Sequence, residues 1–193
     1  MTAKKEPFAI IIEKLVELKD TSELMVDLAY SSLLLNNQHL AEEVQALEEH
    51  MDKLHTEFEK LVLSSGFKPE DSQHFLGMIR LGVATEQIAD AGNEIAEVVL
   101  RELQPHPILK LAIEEAEETV ARVPVSSSSP LIGKTLRQAQ IHEETGMWIL
   151  AIKRGDVWLR PRHGTVIEEN DILIASGYAE GEADFENLAS PNE

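Results

Sequence analysis

Two groups of residues in this 193-residue chain have the types and spacing to do chemistry. The first is cationic. Arg154, Arg160, Arg162 and His163 fall within ten residues of an otherwise acidic chain, and a guanidinium fork matches the oxygens of a phosphate group. The second is acidic. Glu86 and Asp90 stand four residues apart, as do Glu48 and Asp52. On a helix each pair shares one face, where like charges repel by roughly 0.3 kcal/mol unless a cation compensates. The seven histidines are dispersed, and His50 and His55 point to different helix faces. No phosphate loop of the G-x-x-x-x-G-K-[ST] type, no H-E-x-x-H and no strand–Ser–helix elbow is present. The absence of cysteine excludes a disulfide framework, thiolate zinc sites and a cysteine nucleophile. No catalytic residue is assigned, and an enzyme is not expected.

The elements that must position these groups differ between the two ends of the chain. From residue 7 to residue 119 the apolar residues recur at helical spacing. Phe8, Ile11, Ile12, Leu15 and Leu18 open a first helix, which continues through Leu24, Leu28 and Leu35 to a break at Asn36-Asn37. Val44, Leu47, Met51, Leu54, Phe58 and Leu61 mark a second helix that stops at Ser64-Ser65-Gly66, where glycine suits a left-handed cap. Pro69 restarts the chain, and a third helix is predicted to run to about Leu103, ended by Gln104-Pro105. Its expected buried side is Leu76, Ile79, Val83, Ile88, Ile95, Val98 and Val99. A short acidic fourth helix is predicted over Ile108 to about Thr119.

At Val120 the texture changes to β-branched runs and tight turns. Strands are predicted over 120–125, 147–153, 157–160 and 171–176, with helices over 133–139 and 179–188. The fold class is therefore α+β overall: an N-terminal antiparallel helical bundle, residues 1–119, and a small C-terminal α/β domain, residues 120–193.

Composition limits the setting. With 43% hydrophobic and 27% charged residues the chain has the balance of a soluble globular protein. No apolar run approaches the ~20 residues of a membrane span, and the N-terminal run stops at Glu13, too short for a signal peptide. A cytoplasmic location is expected. The net charge is −18. Residues 1–124 carry 24 acids against 11 bases, and residues 125–193 carry 11 against 6. Neither part has the clustered Lys and Arg that bind phosphate backbones by counterion release, so nucleic acid and direct membrane insertion are not expected.

The C-terminal pattern runs Ser129-Pro130-Leu131-Ile132-Gly133-Lys134-Thr135-Leu136, then Gly146, Ile149–Gly155, Pro161 and Gly164–Gly177. It resembles the TrkA-C (RCK C-terminal) domain of potassium transport regulators over nearly its whole length. Asn170 stands where that family usually has Gly, and Asn also tolerates a left-handed turn. The resemblance implies two such modules holding a small anionic ligand, a cyclic dinucleotide in some members, through segments that correspond here to Ile149–Arg154 and Pro161–Thr165. The expected ligand residues are Ile149, Ala151, Lys153, Arg154, Pro161, Arg162 and His163. On strict alternation Ile149, Ala151 and Lys153 share one face, which makes Lys153 rather than Arg154 the inward cation. The G-x-G-x-x-G domain that normally precedes TrkA-C is lacking, so NAD is not expected.

Leu81–Val98, LGVATEQIADAGNEIAEV, and Glu48–Asp52 resemble the helix signatures of the PhoU family. Gln87 replaces that family's usual Arg, and there is room for one three-helix repeat rather than two. The resemblance implies that Glu48, Asp52, Glu86 and Asp90 converge and hold a divalent metal. Together the two resemblances imply a homodimeric cytosolic regulator of a membrane-embedded potassium or other cation channel or transporter. The rival expectation is a PhoU-type metal-binding or phosphate-signalling protein whose TrkA-C module only dimerises.

Overall fold

The computed structural model describes residues 7–66, 68–101 and 118–191. Helix α1 spans Pro7–Leu34, α2 Gln38–Ser64 and α3 Ser72–Leu100. Asn36, at φ 45°, breaks the chain between α1 and α2, and Gly66, at φ 71°, ends the turn after α2. The pair contacts fix the direction of each helix. Lys14 reaches Glu57 at 3.2 Å and Glu17 lies 3.9 Å from His50, so α1 and α2 are antiparallel. The Phe8 and Phe75 rings are 5.8 Å apart, and Gly92 abuts the backbone of Met25 and Val26, so α3 returns parallel to α1. The result is an up-down-up three-helix bundle.

Its core differs from the expected one on α3. Leu76 and Ile88 are 46% and 50% exposed, Ile79, Val83, Ile95 and Val98 are half-buried, and only Val99 of the expected set is buried. The buried seam is instead Phe75, Gly82, Thr85, Ala89, Gly92, Ala96 and Val99. Small residues are needed there for close approach. A Cβ on Gly82 would sit 2.7 Å from the Phe58 ring, and one on Gly92 would sit 3.4 Å from the Met25 carbonyl carbon. Helices that pack this closely select for small side chains, which a search for bulky apolar residues passes over.

The second unit is an antiparallel sheet in the order β1-β4-β2-β3, built from β1 (Glu118–Pro124), β2 (Met147–Arg154), β3 (Val157–Leu159) and β4 (Ile172–Tyr178). Helices α4 (Leu136–Ala139), α5 (Ile141–Thr145) and α6 (Glu182–Ala189) complete it, with α6 packed on β1 and α5 on β2. Val123, Leu131, Met147, Ile152, Leu173 and Phe185 are central to its core. The single helix expected over 133–139 is shorter. Thr135 caps α4 through a reciprocal box with Gln138, and Gln140, at φ 48°, separates α4 from an α5 that periodicity did not predict. Asn170 takes the left-handed conformation, φ 66°. Of the expected fourth helix, residues 108–117 lie outside the described residues, and Glu118 and Thr119 belong to β1. Among the described residues no helix is long and apolar enough to cross a membrane.

Candidate functional site

Strand β2 carries the feature that decides which expected ligand residues meet. Ile149 pairs with Ala175, but Ala151 pairs with Ile174, so Leu150 is the extra residue of a β-bulge. The bulge shifts the alternation by one. Met147, Ile149 and Ile152 face the core, and Ala151 and Lys153 turn to the other side of the sheet with Trp148. The expected common face of Ile149, Ala151 and Lys153 is therefore corrected: Ile149 parts from the other two. Lys153 places its ammonium 5.4 Å from the Trp158 ring.

A cavity of about 540 Å³ opens in this unit. Its walls are Leu136 and Arg137 of α4, Ile141, His142 and Glu143 of α5, Met147, Trp148 and Ile149 of β2, and Pro161, Arg162 and His163 of the following loop. Backbone bonds hold these pieces together: Leu136 N donates to Thr165 O at 2.9 Å and Arg137 N to His163 O at 3.1 Å. Within the loop, Arg162 N donates to Thr165 Oγ1 at 3.0 Å. The His142 ring stacks on Trp148 with centroids 3.6 Å apart, and His142 Nδ1 is buried without a hydrogen-bond partner. Four of the seven expected ligand residues, Ile149, Pro161, Arg162 and His163, thus line one cavity, joined by Arg137, His142 and Trp148, which sequence reasoning missed. Arg137 carries a charge in a capped turn and could have been found from that. The His142–Trp148 stack exists only in the fold.

Arg154 has another task. Its Nε and Nη2 donate to the two carboxylate oxygens of fully buried Asp171, each at 2.8 Å, Nη1 donates to Glu168 at 2.5 Å, and Nη2 also donates to Val166 O at 2.7 Å. These contacts tie the end of β2 to the turn before β4 and leave the guanidinium committed to the scaffold.

In the helical unit Glu48 of α2 lies within electrostatic reach of Asp52 on its own helix and of Glu86 and Asp90 on α3. Burial first, then a hydrogen bond and the charge of Asp90, then the charges of Asp52 and Glu86, push the Glu48 carboxyl up to about 7. Glu86 is raised by burial and by Asp90. Glu48 Oε2, His55 Nε2 and Asn93 Oδ1 are buried without a hydrogen-bond partner, and His55 Nε2 stands 3.7 Å from Glu59 Oε1. Those orphaned atoms suit a proton or a cation between the helices, yet among the described residues no three acidic or histidine side chains are arranged around one ion position.

The sign of the Glu48 shift sets a pH dependence. The folded domain keeps the proton up to about pH 7, whereas an unfolded chain releases it near 4.5. Stability from this group is complete below 4.5 and is lost as pH rises through about 7. Helical melting followed by circular dichroism should therefore fall from about pH 5 to about pH 8. Glu48→Gln should flatten that fall and gain about 1 kcal/mol at the upper end, after a discount for solvent screening. A variant profile parallel to that of the parent would count against the shared proton.

Residues 15–99 match the PhoU domain family and residues 120–190 the TrkA-C domain family. An uncharacterized transporter of Synechocystis sp. is 36% identical over 66 residues, which are 34% of this chain and 11% of that protein. The chain thus spans about a tenth of that relative's length. Among solved structures, the RCK_C domain dimer of S. agalactiae BusR in complex with c-di-AMP is 23% identical, covering 38% of this chain and 97% of that one, with a TM-score of 0.36. The KtrA RCK C domain with c-di-AMP is 24% identical, covering 42% and 94%, with a TM-score of 0.34. S. agalactiae BusR in complex with its busAB-promotor DNA is 15% identical, covering 66% and 82%, with a TM-score of 0.34.

Proposed function

From a chain that carries a PhoU domain followed by a TrkA-C domain, we propose a cytoplasmic, non-enzymatic regulatory subunit of a potassium or other cation channel or transporter, acting as a homodimer. Its TrkA-C domain binds a small anionic, nucleotide-type ligand. The observation that carries this reading is the cavity that joins Arg137, Arg162 and His163 to the apolar surfaces of Trp148, Ile149 and Pro161. Cations meet phosphate, and the flat indole and proline meet a base. Regulation then requires the ligand to bind two arrangements of the assembly with different affinity. Calorimetry of the full chain with cyclic di-AMP and with adenine nucleotides at fixed salt tests it. Saturable binding is expected, weakened about tenfold by Arg162→Ala or His163→Ala and unchanged by Lys153→Ala. Absence of heat with every nucleotide would remove the ligand from this reading.

A second reading, a PhoU-type metal-binding or phosphate-signalling protein with TrkA-C as a dimerisation module, is favoured by one observation. Glu48 and His55 on α2 and Asn93 on α3 each bury a polar atom without a hydrogen-bond partner. On this reading chelator lowers the helical melting temperature by mass action, and Asp90→Asn abolishes the difference. A melting temperature indifferent to chelator and to added divalent ions would leave the acids sharing a proton only.

A further inference from the structure

Helix α3 has a second seam. Outside the buried one, Gly77, Leu81, Ala84, Ile88, Ala91 and Ile95 recur at alternating steps of four and three, the spacing by which one helix grips another. No charged residue interrupts it. Leu81 and Ile88 are 52% and 50% exposed, and Gly77, Ala84 and Ala91 are exposed too. On α1, which lies alongside α3, Phe8, Ile12 and Tyr30 are likewise exposed.

The order of sizes along the seam identifies the occupant. Small and large residues alternate, Gly or Ala and then Leu or Ile. We propose that α3 of a second copy packs antiparallel on this seam, about a two-fold axis at the level of Glu86. That axis sets Gly77 opposite the second copy's Ile95, Leu81 opposite its Ala91, and Ala84 opposite its Ile88. Every layer then joins a small residue to a large one, so the two backbones approach closely and no layer is overfilled or empty. An isologous contact demands this self-complementarity, and a foreign helix does not. The charges agree. Arg80, Gln87 and Glu94 follow at intervals of seven along the flank of the seam. The antiparallel arrangement brings Arg80 to the second copy's Glu94 and each Gln87 to its own counterpart, whereas a parallel one would set small residues against small and large against large along the seam. The inference deepens the homodimer proposed above and rests on it.

The cysteine-free chain makes the register testable, since a disulfide forms only where Cα atoms come within about 7 Å. In the full-length protein under mild oxidation, Gln87→Cys should cross-link to itself. Arg80→Cys and Glu94→Cys should each fail alone and cross-link when mixed. Ala84→Arg should abolish the Gln87→Cys cross-link while the helical circular-dichroism spectrum is kept. Self-cross-linking of Arg80→Cys as strong as that of Gln87→Cys, or no cross-link at any of the three positions, would overturn the seam. Light scattering separates this from the broader reading. A dimer that persists without the α3 cross-link sinks the seam alone, whereas a monomer sinks both.

Discussion

Replacing Arg154 with alanine is expected to destabilise the C-terminal unit by about 3–5 kcal/mol, the cost of leaving one member of a buried ion pair alone. Asp171 is fully buried, and apart from the arginine its carboxylate is held by Glu168 N at 2.9 Å. A carboxylate that loses its guanidinium in such a place must take up a proton or draw in water, and either disturbs the turn before β4. Arg154→Lys should recover only part of the loss, because an ammonium cannot meet both oxygens and Val166 O in one plane. Removing both charges, Arg154→Ala with Asp171→Ala, should cost less than the sum of the single changes. The chain offers a clean probe, since its two tryptophans, Trp148 and Trp158, both belong to the sheet. Denaturant unfolding followed by tryptophan fluorescence reports this unit, and circular dichroism at helical wavelengths reports the bundle. A loss below about 1 kcal/mol for Arg154→Ala would mean that water replaces the guanidinium and that the clamp is dispensable.

The second large effect is expected at Gly181. Its φ of −88° is open to any residue, so conformational freedom does not require glycine there. Space does. A Cβ would sit 1.7 Å from Thr145 O, and at neighbouring Gly177 one would sit 2.4 Å from Gly146 O and 2.9 Å from the Met147 Cα. The obstructing atoms are backbone and cannot rotate away. They belong to the junction of α5 and β2, which supplies His142, Met147 and Trp148 to the cavity. Gly181→Ala should therefore cost more than about 3 kcal/mol, beyond ordinary overpacking, and should weaken any ligand of that cavity. Gly164→Ala, with nothing within 4 Å of the added atom, is the control and should be near neutral in the same fluorescence assay. Equal behaviour of the two variants would show that the junction yields.

These two sites mark the limits of what the sequence made legible. Helix breaks at Asn36 and Gly66, the succession of helices and strands along the chain and the left-handed Asn170 follow from local chemistry, and local chemistry is written in neighbouring residues. That Glu48 feels the charges of Asp52, Glu86 and Asp90 was legible for a related reason: carboxylates at intervals of four on two helices face one another if the helices pack on that side. The bulge at Leu150 was not legible. An inserted residue changes no propensity, yet it reverses every face assignment after it, and so separated Ile149 from Ala151 and Lys153. The buried side of α3 was misjudged because close packing is signalled there by glycine and alanine, while bulky Leu76 and Ile88 point outward. Arg154 looked like a ligand for phosphate because its partner, Asp171, is distant in sequence and adjacent only through the β2–β4 pairing.

That pairing has a consequence for how the protein is made. Among the described residues the first strand of the sheet, β1, pairs along its whole length with β4 alone, residue Glu118 to Tyr178 and Pro124 to Ile172. On the ribosome the three helices can close once residue 100 is clear of the exit tunnel, because α1, α2 and α3 pack on one another. Strand β1 emerges later, without its neighbour, and must wait until residues 172–178 have also been synthesised. A chain arrested or truncated before Ile172 would thus carry a finished bundle trailing an unpaired strand, and such a product should be cleared by proteases or aggregate through that strand.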